Sequence, residues 1–311
     1  MNIRFLETFI WVARMKSFTL AAERLHATQA AVSQRIVSLE ETLGVRLFAR
    51  DGRDVRLTRQ GHRLLVQAEA IVRLYDGMRE LNNATEGKRE IFIGFAEAAA
   101  LTFVPMVCHT IIENMESVTI NGQVGLSPTL DQMLRSGLLD YSISHVQATD
   151  EDTISIPLCD FGLRWAASPN LSVPRGMLTF RQLAEMPIVY PQHSLLHQIV
   201  NDKLGRCASK AARLQLSGSI PTMVQLALDA SGVCLVAPAV VQRELSEGSL
   251  RLLEVEGTLP YIRFYLSHAA GAARSLSRLV ARSCLEAIAL FSRGVEFDFI
   301  RCLASPDDVV Q

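Results

Sequence analysis

Thr28-Gln-Ala-Ala-Val-Ser-Gln-Arg-Ile-Val-Ser-Leu-Glu-Glu-Thr-Leu-Gly44 is the stretch on which the reading turns. At helical spacing Ala31, Ile36, Leu39 and Leu43 lie on or near one face. Gln29, Ser33 and Gln34 fall toward the other side, with Arg35 on the flank. That polar side is built of amides and hydroxyls, the groups that read base edges in a DNA major groove. A face shaped only for solubility more often carries Glu and Lys. Taken alone the polar face is ambiguous, so its flanks decide the matter.

Upstream, Thr19-Leu-Ala-Ala-Glu-Arg-Leu-His26 reads as a short amphipathic helix with Leu20, Ala21 and Leu25 as its apolar side. Only Ala27 to Gln29 separates it from the next helix, and two helices joined so tightly form a helix-turn-helix. Downstream, Leu47-Phe-Ala-Arg-Asp-Gly-Arg-Asp-Val-Arg-Leu-Thr58 gives two strand-like runs around Asp51-Gly52, a hairpin-turn signal. Arg50, Arg53 and Arg56 make that hairpin a basic wing. A further helix is predicted over Ile3–Met15, capped by Asn2, with Leu6, Phe9, Ile10 and Ala13 as its buried stripe. Ser17 or Thr19 caps the next one.

Together, Phe5-Leu-Glu-Thr-Phe, Ser17-Phe-Thr-Leu-Ala-Ala-Glu-Arg-Leu, the run from Ala31 to Arg50 and Leu57-Thr-Arg-Gln-Gly resemble the LysR-type transcriptional regulators. The likeness is ordered and ungapped from Met1 to about Leu65; beyond that it is one of layout with scattered motifs. It implies a winged helix-turn-helix on double-stranded promoter DNA, a small-molecule effector, and a homo-oligomer, dimer or tetramer. RNA polymerase is a further candidate partner.

Composition sets the bounds. A chain of 311 residues suits two or three compact units, and 49% hydrophobic with 20% charged residues is ordinary for a soluble protein. No apolar run reaches the roughly 18 residues of a membrane span, and the N-terminus lacks a secretory layout. The expectation is a cytoplasmic protein with no membrane partner. The net charge of −1 hides an asymmetry: +4 over residues 1–60, zero over 61–90 and −5 over 91–311. A basic head on a mildly acidic body is the footprint of a DNA-binding domain joined to one that does not touch DNA. The six cysteines contain no Cys-x-x-Cys pair and read as buried small hydrophobes. A peroxide-sensing branch of the family uses a cysteine pair, but no spacing here singles one out.

From Thr58 to about Asn83 a helical pattern without Pro places Leu57, Gly61, Leu64, Ala68, Ile71, Tyr75 and Met78 at alternating spacings of four and three, a coiled-coil seam. Such a helix, about 37 Å long, is expected to pair with its copy in a second subunit; the alternative is packing on its own body domain. Asn82–Lys88 reads as a hinge. The remainder alternates strands and helices: Glu90–Phe95, a helix Ala98–Met115, Ser117–Val124, a helix Thr129–Ser136, and Tyr141–Ser144. That order predicts a parallel sheet receiving ligands at its strands' carboxyl ends. The chain crosses near Phe161-Gly162 into a second such unit and returns with a strand at Ile262–Leu266 and a helix Ser275–Phe291. The tail after Gly294 looks able to pack in its first half. Two lobes joined by two crossings resemble the periplasmic-binding-protein fold of LysR-type effector domains, and Ser219–Pro238 matches their second-lobe signature, with Cys234 where relatives often have Gly.

The expected architecture is therefore a mainly α winged helix-turn-helix over 1–58, a linker and dimerisation helix with hinge over 59–88, and an α/β two-lobed effector domain. Lobe I takes 89–161 and 267–311, lobe II 162–266. Candidate DNA contacts are Thr28, Gln29, Ala30, Ser33, Gln34 and Arg35 in the groove, with Arg50, Arg53 and Arg56 on phosphate or in the minor groove. The adjacent Gln34 and Arg35 leave open which of the two reaches the bases. Carrying the family's ligand positions onto this chain gives Ala98, Ser127 and His145 after the three first-lobe strands, with Gln192 and His193 in the second lobe. Relatives often hold a carboxylate with Ser or Thr where Ala98 stands. With Glu97 beside it, a neutral or cationic effector is expected.

His193 and His197 stand four apart, a metal half-site on a helix, but no third ligand is evident, so no metal or cofactor is expected. Ser194 lies in no Gly-x-Ser-x-Gly elbow and no Gly-rich phosphate loop occurs, so an enzyme is not expected. A transport solute-binding protein would share the body but not the head. Purely architectural DNA binding would leave the two-lobed body idle.

Overall fold

The computed structural model describes residues 2–49, 55–80, 89–115, 117–149, 151–192, 194–205, 213–216, 219–295 and 299–305. Two compact units emerge, one holding Met1–Gly87 and the other beginning at Lys88.

The first unit contains α1 (Ile3–Met15), α2 (Phe18–Arg24), α3 (Gln29–Leu43) and α4 (Arg59–Glu80). Each of the first three begins at a side-chain cap: Asn2 accepts from Arg4 N, Ser17 from Leu20 N and Thr28 from Ala31 N. Leu6, Phe9, Ile10 and Val12 of α1, Ala21 and Ala22 of α2, and Val32, Ile36 and Leu39 of α3 form one core with Leu47, Phe48 and Ala68. Phe48 seats its ring edge-on against Phe9 and Phe18, each 5.6 Å away. The buried stripes differ from expectation. Leu20 is 50% exposed and Leu43 37% exposed, because Ala22 and Val32 take the inward positions. The wing's base is paired, with a bridge between Phe48 and Leu57 and Ala49 N donating to Arg56 O. Its tip, Asp51-Gly52 included, lies outside the described residues, as does the hinge over 82–88.

Helix α4 corrects the seam. Ala68 is fully buried in the head's own core, with Leu64, Leu65 and Val72 packed against that core, and Glu69 pairs with Arg14 of α1 at 2.9 Å. Only Ile71 and Tyr75, both 39% exposed, present the stripe outward among the described residues. Three short helices leave an open side, and the first turns of α4 close it. Gly61 makes this possible. Any Cβ there would fall closer to the Leu47 carbonyl oxygen than real atoms approach.

The second unit runs β1 (Arg89–Ala96), α5 (Glu97–Ala100), α6 (Val104–Asn114), β2 (Val118–Gly125), α7 (Ser127–Arg135), β3 (Tyr141–Ser144), β4 (Thr153–Phe161), β5 (Arg164–Ala167), α8 (Phe180–Ala184), β6 (Ile188–Pro191), α9 (Leu195–Leu204), β7 (Arg213–Leu216), α10 (Ile220–Leu228), β8 (Val233–Val236), α11 (Gln242–Ser246), β9 (Arg251–Leu253), β10 (Ile262–Ala269), α12 (Arg274–Ser292) and β11 (Ile300–Cys302). A six-stranded sheet in the order β11-β4-β10-β3-β1-β2 forms one lobe, and a five-stranded sheet in the order β7-β6-β8-β5-β9 the other. One continuous core, including Ile91, Phe161, Trp165, Tyr190 and Phe264, runs through both lobes.

Several expected boundaries move. The helix over Ala98–Met115 is two pieces, since Pro105 in the first turn of α6 has no N–H to continue α5. The helix expected from Thr129 begins at Ser127. Strand β10 lies in the first sheet from Ile262 onward, antiparallel to β3 and β4, so residues 262–266 belong to lobe I. Each sheet is mixed rather than parallel, because β4, β10 and β11 join the first and β5 and β9 the second antiparallel. The first part of the tail packs as β11 on β4. Among the described residues no helix is long and apolar enough to cross a membrane.

Gly61→Ala should destabilise the head by about 1–3 kcal/mol, the usual cost of overpacking, despite Ala's intrinsic helix preference of about 1 kcal/mol. Chemical denaturation of the native chain and the variant measures it. An unchanged or raised midpoint would contradict the close approach of α4 to Leu47.

Candidate functional site

In the head, the tight turn between α2 and α3 is made by His26, which adopts φ +48°; Ala27 N then donates to Ala22 O. Glu40, 7% exposed, fixes the other end of α3. Its carboxylate accepts from Leu47 N at 2.7 Å and Phe48 N at 3.3 Å, and pairs with Arg46 at 2.7 Å. With both ends set, the first two turns of α3 face outward: Gln29, Ala30 and Gln34 are exposed and Ser33 is half-buried. Thr28 spends its hydroxyl on the helix cap.

Arg35 behaves differently from Gln34. Half-buried, it donates from Nη1 to the hydroxyl of Thr8 in α1 at 3.3 Å, and that hydroxyl donates to Arg4 O. The arginine is held against the neighbouring helix while the amide beside it stands clear of that packing. Arg56 is exposed on the returning wing strand. Arg50 and Arg53 lie outside the described residues.

In the body, a cavity of about 90 Å³ sits between the lobes. Three first-lobe junctions meet there: Ala96–Ala98 at the end of β1, Gly125–Ser127 at the end of β2, and His145 after β3. These are carboxyl ends of parallel strands, where such sheets receive ligands. Ser127 Oγ and His145 Nδ1 are 2.8 Å apart. Burial lowers the His145 pKa from its ordinary 6.5, so the imidazole is held neutral. Glu97 Oε2 accepts from the backbone N–H of Ile220, across the cleft in the second lobe, at 2.8 Å.

Glu97, Ala98, Ser127 and His145 thus come together as the sequence placed them. Gln192 does not; it follows β6, and the second lobe lines the cavity instead with Leu195, Leu196, Ile220 and Val240. Ser194 is the cause. It caps α9 by accepting from His197 N while donating to Pro191 O, which brings the helix's first leucines into the cleft. His193 lies outside the described residues, and His197 packs its ring against Tyr190 at 5.2 Å. The apolar lining, with Phe161 and Phe264 at the crossings, carries no mark in the sequence, because aromatic and aliphatic residues at strand ends look like any other core. Cys159, Cys234 and Cys284 are buried, and burial pushes the Cys234 thiol up to about 12 and the other two upward as well. They sit as protonated small hydrophobes; Cys207 lies outside the described residues.

Comparison with known proteins agrees with both units. The family described as bacterial regulatory helix-turn-helix protein, lysR family, matches residues 3–62, and the LysR substrate binding domain matches residues 84–289. Among curated relatives, the HTH-type transcriptional regulator BbuR of Bordetella bronchiseptica is 25% identical over 250 residues, covering 79% of this chain and 77% of that protein. HdfR of Yersinia pestis, also an HTH-type transcriptional regulator, is 28% identical over 249 residues, covering 78% and 83%. Among solved structures, full-length CbnR complexed with its target DNA superposes with a TM-score of 0.67 at 18% identity, covering 92% of this chain and all of that one. A full-length OxyR variant from Pseudomonas aeruginosa gives 0.64 at 20% identity, covering 91% and 94%. Those likenesses concern the fold. With the helix-turn-helix head and the two-lobed substrate-binding body both matched, the chain belongs to the LysR family and is a DNA-binding transcriptional regulator with an effector domain.

Proposed function

We propose that this regulator reads promoter DNA with the first two turns of α3 and is modulated by a small molecule held between the lobes. The observation that carries the reading is the two-sidedness of α3: Val32, Ile36 and Leu39 are buried, and the opposite side offers uncharged Gln29, Ala30, Ser33 and Gln34. Gln pairs bidentately with adenine, and the Ala30 methyl suits a thymine methyl. Gln34 is the base reader of the adjacent pair, because Arg35 is engaged with Thr8. Arg56, with Arg50 and Arg53, neutralises phosphates along the wing.

The working unit is a homodimer, with a tetramer as its higher assembly. Exposed Ile71 and Tyr75 on the outer part of α4 are the residues offered to a partner helix. Two heads related by a two-fold axis need half-sites about one helical turn apart or a multiple of it. The effector changes promoter occupancy only through its different affinity for the two assemblies. The chain acts by binding rather than catalysis, in the cytoplasm where promoters are, and RNA polymerase is a further partner of the bound complex.

Fluorescence anisotropy on the chain's own upstream region against a scrambled duplex tests the head. Gln34→Ala should lose about 1–3 kcal/mol of discrimination. Arg56→Ala should weaken both duplexes alike and reduce the salt slope by about 0.9. Equal affinity of the native chain for both duplexes would refute the reading.

The cleft has a pH signature. Below the ordinary histidine value of 6.5, unfolded His145 binds a proton that the folded, desolvated imidazole takes up only at lower pH. Its contribution is therefore complete above 6.5 and is lost as the pH falls below that value. Thermal midpoints should drop between about pH 7.5 and about pH 5.5, which bracket the unperturbed histidine, and His145→Asn should flatten the drop. An equally steep fall in the variant would count against a neutral His145.

A further inference from the structure

We infer that Glu97 is the specificity-determining residue of the cleft. It is an internal carboxylate that latches the two lobes at the start of α10 and reserves the cavity for uncharged or cationic, largely apolar effectors. The inference rests on the cleft being the effector site and adds the chemical class of the effector.

The argument begins with the donors at the end of α10. A helix leaves its first backbone N–H groups without internal partners, and these carry the positive end of the dipole. In α10 they are nearly all accounted for within the second lobe. Pro221 has no N–H, the Ser219 hydroxyl accepts from Thr222 N at 3.3 Å, and Met223 N donates to Ser219 O. Ile220 N–H is the donor left, and it is the one aimed at the first lobe. Glu97 Oε2 receives it at 2.8 Å. Ile220 and Glu97 both line the cavity, so this bond crosses the ligand space from one lobe to the other.

Two consequences follow. A carboxylate on an effector would need that donor and finds it taken. It would also lie beside an existing negative charge, and among the described residues lining the cavity there is no Lys or Arg to balance a second one. The neutral His145 and Ser127 offer a hydrogen-bonding handle without charge. Leucine, isoleucine, valine and phenylalanine side chains supply the rest of the wall, which suits an apolar body. Glu97, the protein's own anion, adds a polar link between the lobes to the apolar core they share.

Hydrogen exchange at the Ile220 amide in the full-length chain tests this without knowing the effector. Glu97→Ala should speed exchange there about tenfold or more, as loss of a charge-assisted bond requires. Sodium acetate, compared with sodium chloride at equal ionic strength, should restore slow exchange in Glu97→Ala and leave the native chain unchanged. Glu97→Gln keeps an acceptor of the same shape and loses only the charge. It should speed exchange about two- to fivefold and remain readable if the alanine variant folds poorly. Native exchange at Ile220 in both variants, acetate acting equally on the native chain, or no acetate effect on Glu97→Ala would overturn the inference. Failure of the cleft as an effector site would appear separately, as promoter binding indifferent to every small molecule while Ile220 exchange follows the expected pattern.

Discussion

A carboxylate closing on backbone N–H groups is the interaction on which both units depend. Backbone N–H groups beside a helix end lack partners within the helix, and leaving one unpaired away from water costs on the order of 1–3 kcal/mol. In the head, Glu40 takes Leu47 N and Phe48 N and so fixes where the wing departs from α3. In the body, Glu97 takes Ile220 N and so ties one lobe to the other. An anion is the strongest simple acceptor for such donors, because charge-assisted bonds exceed neutral ones roughly twofold. Each glutamate therefore sets a geometry on which the neighbouring site relies.

The two candidate sites present surfaces of opposite chemistry. On the head, hydrophobic residues are drawn inward to Phe9, Phe48 and Leu39, which leaves the short polar side chains of α3 outward. In the body, apolar side chains face the cavity itself, and the few polar groups are paired: Ser127 with His145, Glu97 with Ile220 N. A surface that reads DNA must stay hydrated and exchange its waters for bases. A pocket that takes a small molecule gains from a dry wall with a few placed polar groups.

Much of this is legible in the chain. Spacing, caps and the tight helix-to-helix break give α1 to its observed ends and α2 its Ser17 cap, and they place α3 to within a residue of its start, because local capping and the 3.6-residue period act over neighbouring residues; Thr28, read as a groove contact, is instead the cap of α3. The alternation of strands and helices foretells the lobes, and Glu97, Ala98, Ser127 and His145 fall at one cavity. What fails are matters of partner choice. The α4 stripe reads as a seam for a second subunit, yet its first half fills the open side of its own head, and nothing in the period distinguishes those uses. Position alone would bring Gln192 to the cavity, whereas the Ser194 cap turns the chain so that Leu195 and Leu196 enter it.

The cysteines mark the division plainly. No spacing joins Cys159 to Cys302, yet β11 sets them opposite one another on β4, as free thiols, because antiparallel pairing brings together residues far apart in the chain. Glu97 and Ile220 are likewise far apart in the chain and meet only across the cleft. The amino-acid order by itself determined the helix-turn-helix, the polar face of its second helix and the two-lobed alternation, since these arise from periodicity and capping within a few turns. Only the tertiary structure decided which side of α4 is core, which arginine is held back, and which carboxylate spans the lobes. Those outcomes depend on what each side chain finds on another element, and sequence neighbours do not specify that.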